Sequence, residues 1–128
     1  MSEANLSGAN LEATNLVGAN LSGANLNQAI LTEANLNESD LSDAPLKKAD
    51  LSDAELYMAS LSPAELEEAN LQGAKMSGAT MWKANLKGAD LTGADLSEAN
   101  LSEANVAATD MSEAFLTGAI MPDANIHR

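Results

Sequence analysis

KANLKGADLTGADLSEANL, residues 83 to 101, repeats one five-residue pattern almost four times. Leucine returns at every fifth residue, alanine stands two residues before each leucine, and asparagine or aspartate lies between them. Neither regular element suits this period. In a helix at about 100° per residue the leucines would spread around the cylinder, and in a long strand they would alternate between faces. The spacing therefore predicts a chain that bends after every fifth residue.

The same pattern continues through almost the whole chain of 128 residues without an insertion. We call the leucine place the core position; it recurs from Leu6 to Ile126 and is apolar in all 25 repeats. Alanine fills 22 of the 25 places two residues earlier, and all 8 glycines fall two residues after a core position. This regularity predicts a single repeat domain over residues 1–128.

Each repeat is interpreted as a short extended piece followed by a turn. Alanine and leucine are two residues apart and share one face, whereas the asparagine or aspartate between them points the other way. The glycines then occupy the third position of a turn, where a type II turn needs a positive φ. Pro122 falls at the second position, which its fixed φ suits. The pattern predicts a coil with leucine and alanine inside and polar residues outside.

Charge stacking indicates how many repeats form one coil. Residues in successive coils lie about 4.8 Å apart, so opposite charges should stack. At a spacing of 20 residues the sequence has six opposite-sign pairs, such as Lys47 with Glu67, against three like-sign pairs. At a spacing of 15 it has five opposite and six like. Four sides per coil are favoured, which gives about six coils.

The motif Ala-(Asn/Asp)-Leu-x-x, as in ANLKG at residues 84–88, resembles that of the pentapeptide-repeat family. The resemblance implies an all-β fold, the right-handed quadrilateral β-helix, and a bacterial, often cyanobacterial, kinship. One branch of that family binds DNA gyrase by imitating the shape and charge of DNA. That branch mixes phenylalanine with leucine at the core position, whereas no core position here is phenylalanine.

The sequence contains no recognisable catalytic constellation. It has no cysteine, and its one histidine, His127, stands beside the last residue. Nucleophile–base pairs of the usual kinds are therefore missing. We expect no enzyme, with no catalytic, cofactor-binding or metal-binding residues and no cofactor. A cytoplasmic protein without a membrane segment is expected as well.

The net charge of -13 bears on the class of partner. Direct binding to nucleic acid is disfavoured, because affinity there comes from cations that neutralise phosphates. Two interpretations remain for the carboxylates. They keep the protein soluble and monomeric, or they form a surface that competes with nucleic acid for a basic protein.

Large side chains interrupt the monotony at Tyr57, Met58 and Trp82, in turn positions otherwise held by serine, glycine, glutamate and lysine. The four-sided arrangement places all three around one side, with Ser60 and Thr80 outward between them. Exposed aromatic residues mark interfaces, so these three are candidate protein-interaction residues. The alternative is that they cover a local gap.

The outward position breaks the polar rule at Phe115 and Ile120, which should lie on adjacent sides of the last full coil. Two interpretations are open: local packing under the C-terminal tail, or an apolar patch for end-to-end association as a homodimer.

These observations predict a non-enzymatic protein-interaction or structural scaffold with a rigid acidic surface and an unknown protein partner. The alternative function is a DNA mimic that binds DNA gyrase or another DNA-binding protein.

Overall fold

The computed structural model describes residues 1–126, so His127 lies outside the described residues. Its strands are so short that each contributes one bridge residue. Every parallel bridge joins residues 20 apart, from Asn5 with Asn25 to Asn100 with Ile120. The four-sided coil predicted from charge stacking is confirmed.

The bridge residues point outward and define four sides. Side 1 has Asn5, Asn25, Pro45, Glu65, Asn85 and Asn105; side 2 has Asn10, Ile30, Asp50, Asn70, Asp90 and Asp110; side 3 has Asn15, Asn35, Glu55, Lys75, Asp95 and Phe115; side 4 has Asn20, Asp40, Ser60, Thr80, Asn100 and Ile120. The two turn residues after each core position form a corner. We number each corner by the side that precedes it.

The core is a column of leucine and methionine lined by alanine. Every core position from Leu21 to Leu101 is 0% exposed. In the terminal coils the same position is half-buried, as at Leu6 and Leu116. The last predicted core position, Ile126, does not point inward: it is 59% exposed, because the chain folds back to pair with Ile120 instead of continuing the coil. The predicted inward alanines are confirmed over the same coils, where each is nearly or fully buried. The small alanine lets the chain turn without crowding the leucine of the next side.

Each repeat has five backbone N–H groups, and the repeat 21–25 shows where they go. The first, third and fifth donate to carbonyls of neighbouring coils at 2.7–2.9 Å. The fourth, on Ala24, donates to Leu21 O at 2.9 Å and closes the turn. The second, on Ser22, donates to the Asn20 side-chain Oδ1 at 3.1 Å. The outward asparagine or aspartate therefore satisfies the donor that the coil leaves over.

The second residue of each corner is the third position of its turn, and it has a positive φ, as a type II turn requires, except at Pro63 and Asp123. The eight glycines lie between 66° and 75°, which confirms their predicted position. Fifteen other residues adopt the same conformation, among them Glu98 at 58° and Ala108 at 56°. The turn is therefore imposed by stacking even where glycine is missing. The corner at Pro63 differs, because the Ser62–Pro63 bond is cis.

The C-terminal residues fold back on side 4. Met121 N–H donates to Asn125 O at 2.8 Å, and Ile126 pairs antiparallel with Ile120. Pro122 lies at the second position of the last turn as predicted, since Ala124 N–H donates to Met121 O at 2.8 Å. This segment lies against one of the four strand edges at that end.

Candidate protein-interaction surface

The three large residues singled out in the sequence lie around side 4. Tyr57 and Met58 form corner 3 of one coil, and Trp82 lies in corner 4 of the next coil. Between them Ser60 and Thr80 are paired by a parallel bridge on side 4. We call these five residues the aromatic strip.

The three large side chains of the aromatic strip are exposed, and one of them reaches the next coil. Tyr57 and Met58 are each 53% exposed, and Trp82 is 44% exposed. Met58 lies over Gly78 in the following coil, where an added Cβ would come within 2.5 Å of the methionine sulfur. The glycine therefore makes the room that lets Met58 extend along corner 3 over the following coil.

The backbone at the aromatic strip is held by side chains of the preceding coil. Glu55 occupies the outward position before Tyr57, and the Tyr57 N–H donates instead to Asn37 Oδ1 at 2.8 Å. In the same way the Trp82 N–H donates to Ser62 Oγ at 2.7 Å. The sequence analysis missed both supporting residues. The signal was available: the outward position lacks asparagine or aspartate, and a residue 20 positions before the unsatisfied donor offers an oxygen.

One lysine is the only charged residue in the two segments, 57–63 and 77–83, that carry the aromatic strip. Residues 57–63 have no charged side chain, and residues 77–83 have only Lys83. The Lys83 Nζ lies 4.6 Å from the centroid of the Trp82 ring, a cation–π distance. The ammonium therefore covers part of the indole face.

Carboxylates border the aromatic strip along the axis of the coil. Residues 37–43, one coil before, contain Glu38, Asp40 and Asp43; residues 97–103, one coil after, contain Glu98 and Glu103. All five lie on side 4 or its two corners. The apolar surface is thus bounded by negative charge at both ends.

Apart from Met1 and Ile126 at the ends of the described residues, two further apolar side chains are exposed that the sequence analysis did not single out. Val17, in corner 3, is 49% exposed, and Ile30, on side 2, is 39% exposed. Asn37 separates Val17 from Tyr57, and Ile30 lies on another side. Neither extends the aromatic strip.

Phe115 and Ile120 lie on adjacent sides of the last coil, as the spacing predicts. Ile120 is half-buried and pairs with Ile126 of the folded-back tail. Phe115 is 63% exposed on side 3. Local packing under the tail therefore describes Ile120 and not Phe115.

Side 2 and corner 2 form the most uniformly acidic surface. Their carboxylates are Glu12, Glu33, Asp50, Asp53, Asp90, Asp110 and Glu113, and within residues 1–126 they include no lysine or arginine. Nowhere in that range are three or more histidine, cysteine, aspartate or glutamate residues grouped so that they could hold a metal ion.

Hydrogen bonds hold two of these carboxylates in the charged form. The Thr92 hydroxyl donates to Asp90 Oδ1 at 2.6 Å, and the Gln72 amide donates to Oδ2. These donors lower the pKa of Asp90, the Thr92 hydroxyl most strongly. The Ser112 hydroxyl likewise lowers the pKa of Asp110. The donors are residues of the repeat itself, so these groups are already satisfied within the fold.

The stacked charges that predicted the coil form few ion pairs. Lys47 Nζ lies 4.0 Å from Glu67 Oε1, the one salt bridge among the described residues. Glu55, Lys75 and Asp95 are stacked by backbone bridges in the predicted register without such a contact. The order of charges therefore reflects the stacking of the coils but contributes little to it, because exposed pairs of this kind add only about 0–1 kcal/mol to stability.

No helix in residues 1–126 has the length and apolar character needed to cross a membrane.

Comparison with known proteins identifies the class. The profile of the pentapeptide repeats matches the chain in 8 copies, over residues 4–43, 29–62, 64–102 and 99–128. The chain belongs to the pentapeptide-repeat family, and its fold is the right-handed quadrilateral β-helix. The handedness implied by the resemblance is confirmed with it.

Solved structures of the family support the assignment. A pentapeptide repeat protein of the Arabidopsis thaliana thylakoid lumen is 35% identical with a TM-score of 0.74, over 75% of this chain and 67% of that one. One from the cyanobacterium Cyanothece 51142 is 37% identical with a TM-score of 0.67, over 67% of this chain. The present chain spans 58% of the length of that cyanobacterial protein.

A more distant structure shares the fold alone. QnrB1, a plasmid-mediated fluoroquinolone resistance protein, is 23% identical with a TM-score of 0.76, over 88% of this chain and 57% of that one. A search of curated proteins gives no match.

Proposed function

We propose that the protein is a non-enzymatic interaction scaffold that binds a partner protein through the aromatic strip. The supporting observation is the exposure of Tyr57, Met58 and Trp82 at the two corners that flank side 4 in successive coils. Tyrosine, tryptophan and methionine are enriched at the centres of protein interfaces.

Rigidity strengthens this proposal. The Tyr57 and Trp82 N–H groups donate hydrogen bonds to Asn37 Oδ1 and Ser62 Oγ, and the neighbouring core positions are fully buried. Binding therefore requires little ordering of the chain, and ordering is one of the main costs of association.

Serine substitutions test the proposal, because serine stands at equivalent corner positions of other coils. Purified wild type, Tyr57→Ser with Trp82→Ser, and the control Lys87→Ser on corner 1 would each be immobilised and exposed to a native extract. We expect the strip variant to lose the specifically retained proteins and the control to keep them. Equal retention by all three would contradict the proposal, provided that the melting temperatures show each variant to be folded.

The alternative is a DNA mimic that binds DNA gyrase or another DNA-binding protein. It is supported by the seven carboxylates on side 2 and corner 2 and by the net charge of -13. A gyrase supercoiling assay with added protein tests it. Unchanged supercoiling at micromolar protein would eliminate gyrase as the partner.

Association of two copies near the C-terminal end is a further part of the proposal. Phe115 is 63% exposed and lies beside Ile120 in the last coil. Light scattering of wild type, Phe115→Asp and the control Asn105→Asp tests it. We expect only Phe115→Asp to halve the mass, and a monomeric wild type would refute it.

The cytoplasmic location expected from the sequence stays a prediction. One similar protein comes from a thylakoid lumen, so fractionation of the source cells with an antibody to this protein is the direct test.

A further inference from the structure

We infer that the partner of the aromatic strip has an apolar centre flanked by two groups of lysine or arginine about 14 Å apart. The inference rests on the proposed function and specifies its partner. Its basis is the order of charges along side 4, which changes from coil to coil in a way that the repeat does not require.

From one coil to the next along side 4, the net charge is negative, then zero, then slightly positive, then negative again. The coil segment 37–43 has three carboxylates, segment 57–63 has no charge, segment 77–83 has only Lys83, and segment 97–103 has two carboxylates. Parallel bridges stack these four segments directly on one another. The interface that would cover the aromatic strip must therefore meet negative charge at both ends.

The distance between the two groups of carboxylates, which we call the acidic rows, follows from the fold: one row lies in segment 37–43 and the other in segment 97–103. The rows are three coils apart, and each coil rises about 4.8 Å, so they are separated by about 14 Å. An α-helix spans that distance in about nine residues at a rise of 1.5 Å per residue. An extended segment spans it in about four residues. Either geometry gives a sequence signature that can be read in the partner.

Electrostatics then select among partners. Complementary charges accelerate association and suppress wrong partners, because like charges brought together across an interface are unfavourable. An acidic partner would meet five carboxylates around an apolar centre. Lys83 does not reverse this preference, since its ammonium lies against the Trp82 ring.

The experiment uses a photo-crosslinking amino acid in the full-length protein, placed at Tyr57 and, as a control, at Lys87 on corner 1. After irradiation in native extract, the cross-linked peptides are sequenced by mass spectrometry. We expect peptides enriched at position 57 to have lysine or arginine on both sides of an apolar residue. The basic residues should be about nine residues apart in a helix or about four apart in an extended segment.

A matched pair of charge reversals tests the acidic rows. Glu98→Lys with Glu103→Lys alters the row beyond Trp82, and Glu33→Lys with Glu113→Lys makes the same charge change on corner 2. All four residues have φ of 58° or 59°, and Lys48 and Lys83 already adopt that conformation. We expect the first pair to lower the cross-linking yield at position 57 about tenfold and the second to leave it within about twofold.

The outcomes separate the two levels of the proposal. If position 57 cross-links no better than position 87, the proposed interaction surface is wrong. If position 57 cross-links specifically but its peptides are acidic or uncharged, or if both charge-reversal pairs behave alike, the basic partner is refuted and the interaction surface is retained.

Discussion

At the scale of single residues, the outward asparagine and aspartate are explained by one leftover donor. Four of the five N–H groups in a repeat donate to backbone carbonyls. The remaining N–H, on the first residue of each corner, needs a side-chain acceptor. Where proline stands at the outward position, in Pro45, the Lys47 N–H donates to Asn27 Oδ1 of the preceding coil at 2.8 Å. The rule is therefore about satisfying a donor and permits more than one solution.

Positive φ in residues other than glycine stores strain that a substitution can release. Ala108 has a φ of 56°, whereas its neighbour Ala107 does not have a positive φ, and both are exposed. Ala108→Gly should stabilise the fold by about 0.5–1 kcal/mol, because relief of left-handed strain outweighs the added entropy of the unfolded chain. Ala107→Gly should destabilise it by about 0.5–1 kcal/mol. Urea unfolding of both variants measures the difference, and equal effects would contradict this account of the corner.

Ser39 stands where most repeats have alanine, and its hydroxyl is buried without a hydrogen-bond partner among the described residues. Ser39→Ala should raise stability by about 1–2 kcal/mol, because a buried unsatisfied polar group is removed. Thr109 occupies an equivalent place, but its hydroxyl donates to Leu86 O at 2.6 Å. Thr109→Ala should therefore not stabilise the fold, and a similar gain from both substitutions would disprove the explanation.

Acid sensitivity follows from the lowered pKa of Asp90. A carboxyl whose pKa is lower in the folded state stabilises the fold above its ordinary value of 3.8, and that contribution is lost as the pH falls through the lowered pKa. Thr92→Val removes the hydroxyl donor, so the pKa of Asp90 should rise toward its ordinary value. A carboxyl titration by NMR measures this shift. Thr32→Val, at the same corner three coils away, should leave the Asp90 pKa unchanged.

At the scale of the coil, stability is a sum of four core positions and the contacts with neighbouring coils. Interior coils bury these positions completely, whereas the terminal coils leave them half-buried. Pro45 shows that one backbone hydrogen bond between coils can be lost. It has no N–H to donate, yet its carbonyl still accepts from the Leu26 N–H at 2.8 Å. A coil therefore tolerates the loss of one such hydrogen bond while an apolar side chain occupies the adjacent core position.

Core substitutions should differ between interior and terminal coils. Leu66→Ala should cost about 2–5 kcal/mol, because a fully buried side chain is replaced by a cavity. Leu116→Ala should cost less, since that residue is only half-buried. Ala64→Leu should also destabilise, by about 1–3 kcal/mol, because the inward corner has no room. Thermal unfolding compares the three; an unchanged or raised melting temperature for Ala64→Leu would refute the packed corner.

At the scale of the whole molecule, the surface charge opposes the compact state. The net charge is -13, and one salt bridge is formed among the described residues. Self-repulsion of this kind destabilises a folded protein and is screened by salt. The acidic surface thus lowers stability and, on the proposed function, selects the partner.

Salt should therefore stabilise the protein. Raising the ionic strength from about 0.02 M to about 0.5 M shortens the screening length from about 20 Å to about 4 Å. We expect the melting temperature to rise across this range. The variant Glu33→Lys with Glu113→Lys should show a smaller rise, because its net negative charge is reduced. A melting temperature that falls with salt would show that attractive pairs dominate.

Much of this architecture could be predicted because the repeat is local. The bend after every fifth residue follows from a leucine and an alanine two apart and from the glycine or other turn residue that comes next. The inward column from Leu21 to Leu101 and the placement of Tyr57 and Trp82 around one side required only this rule and the charge register.

The sequence by itself therefore determined the coil, its four sides and the position of each residue on them, since each repeat closes its own turn. Only the tertiary structure decided how positions 20 apart meet. Met58 extends because Gly78 lies beneath it, the Tyr57 and Trp82 N–H groups bind Asn37 and Ser62, and Ile120 pairs with the tail. Such contacts join residues that are distant in the chain and become neighbours only after the coils have stacked.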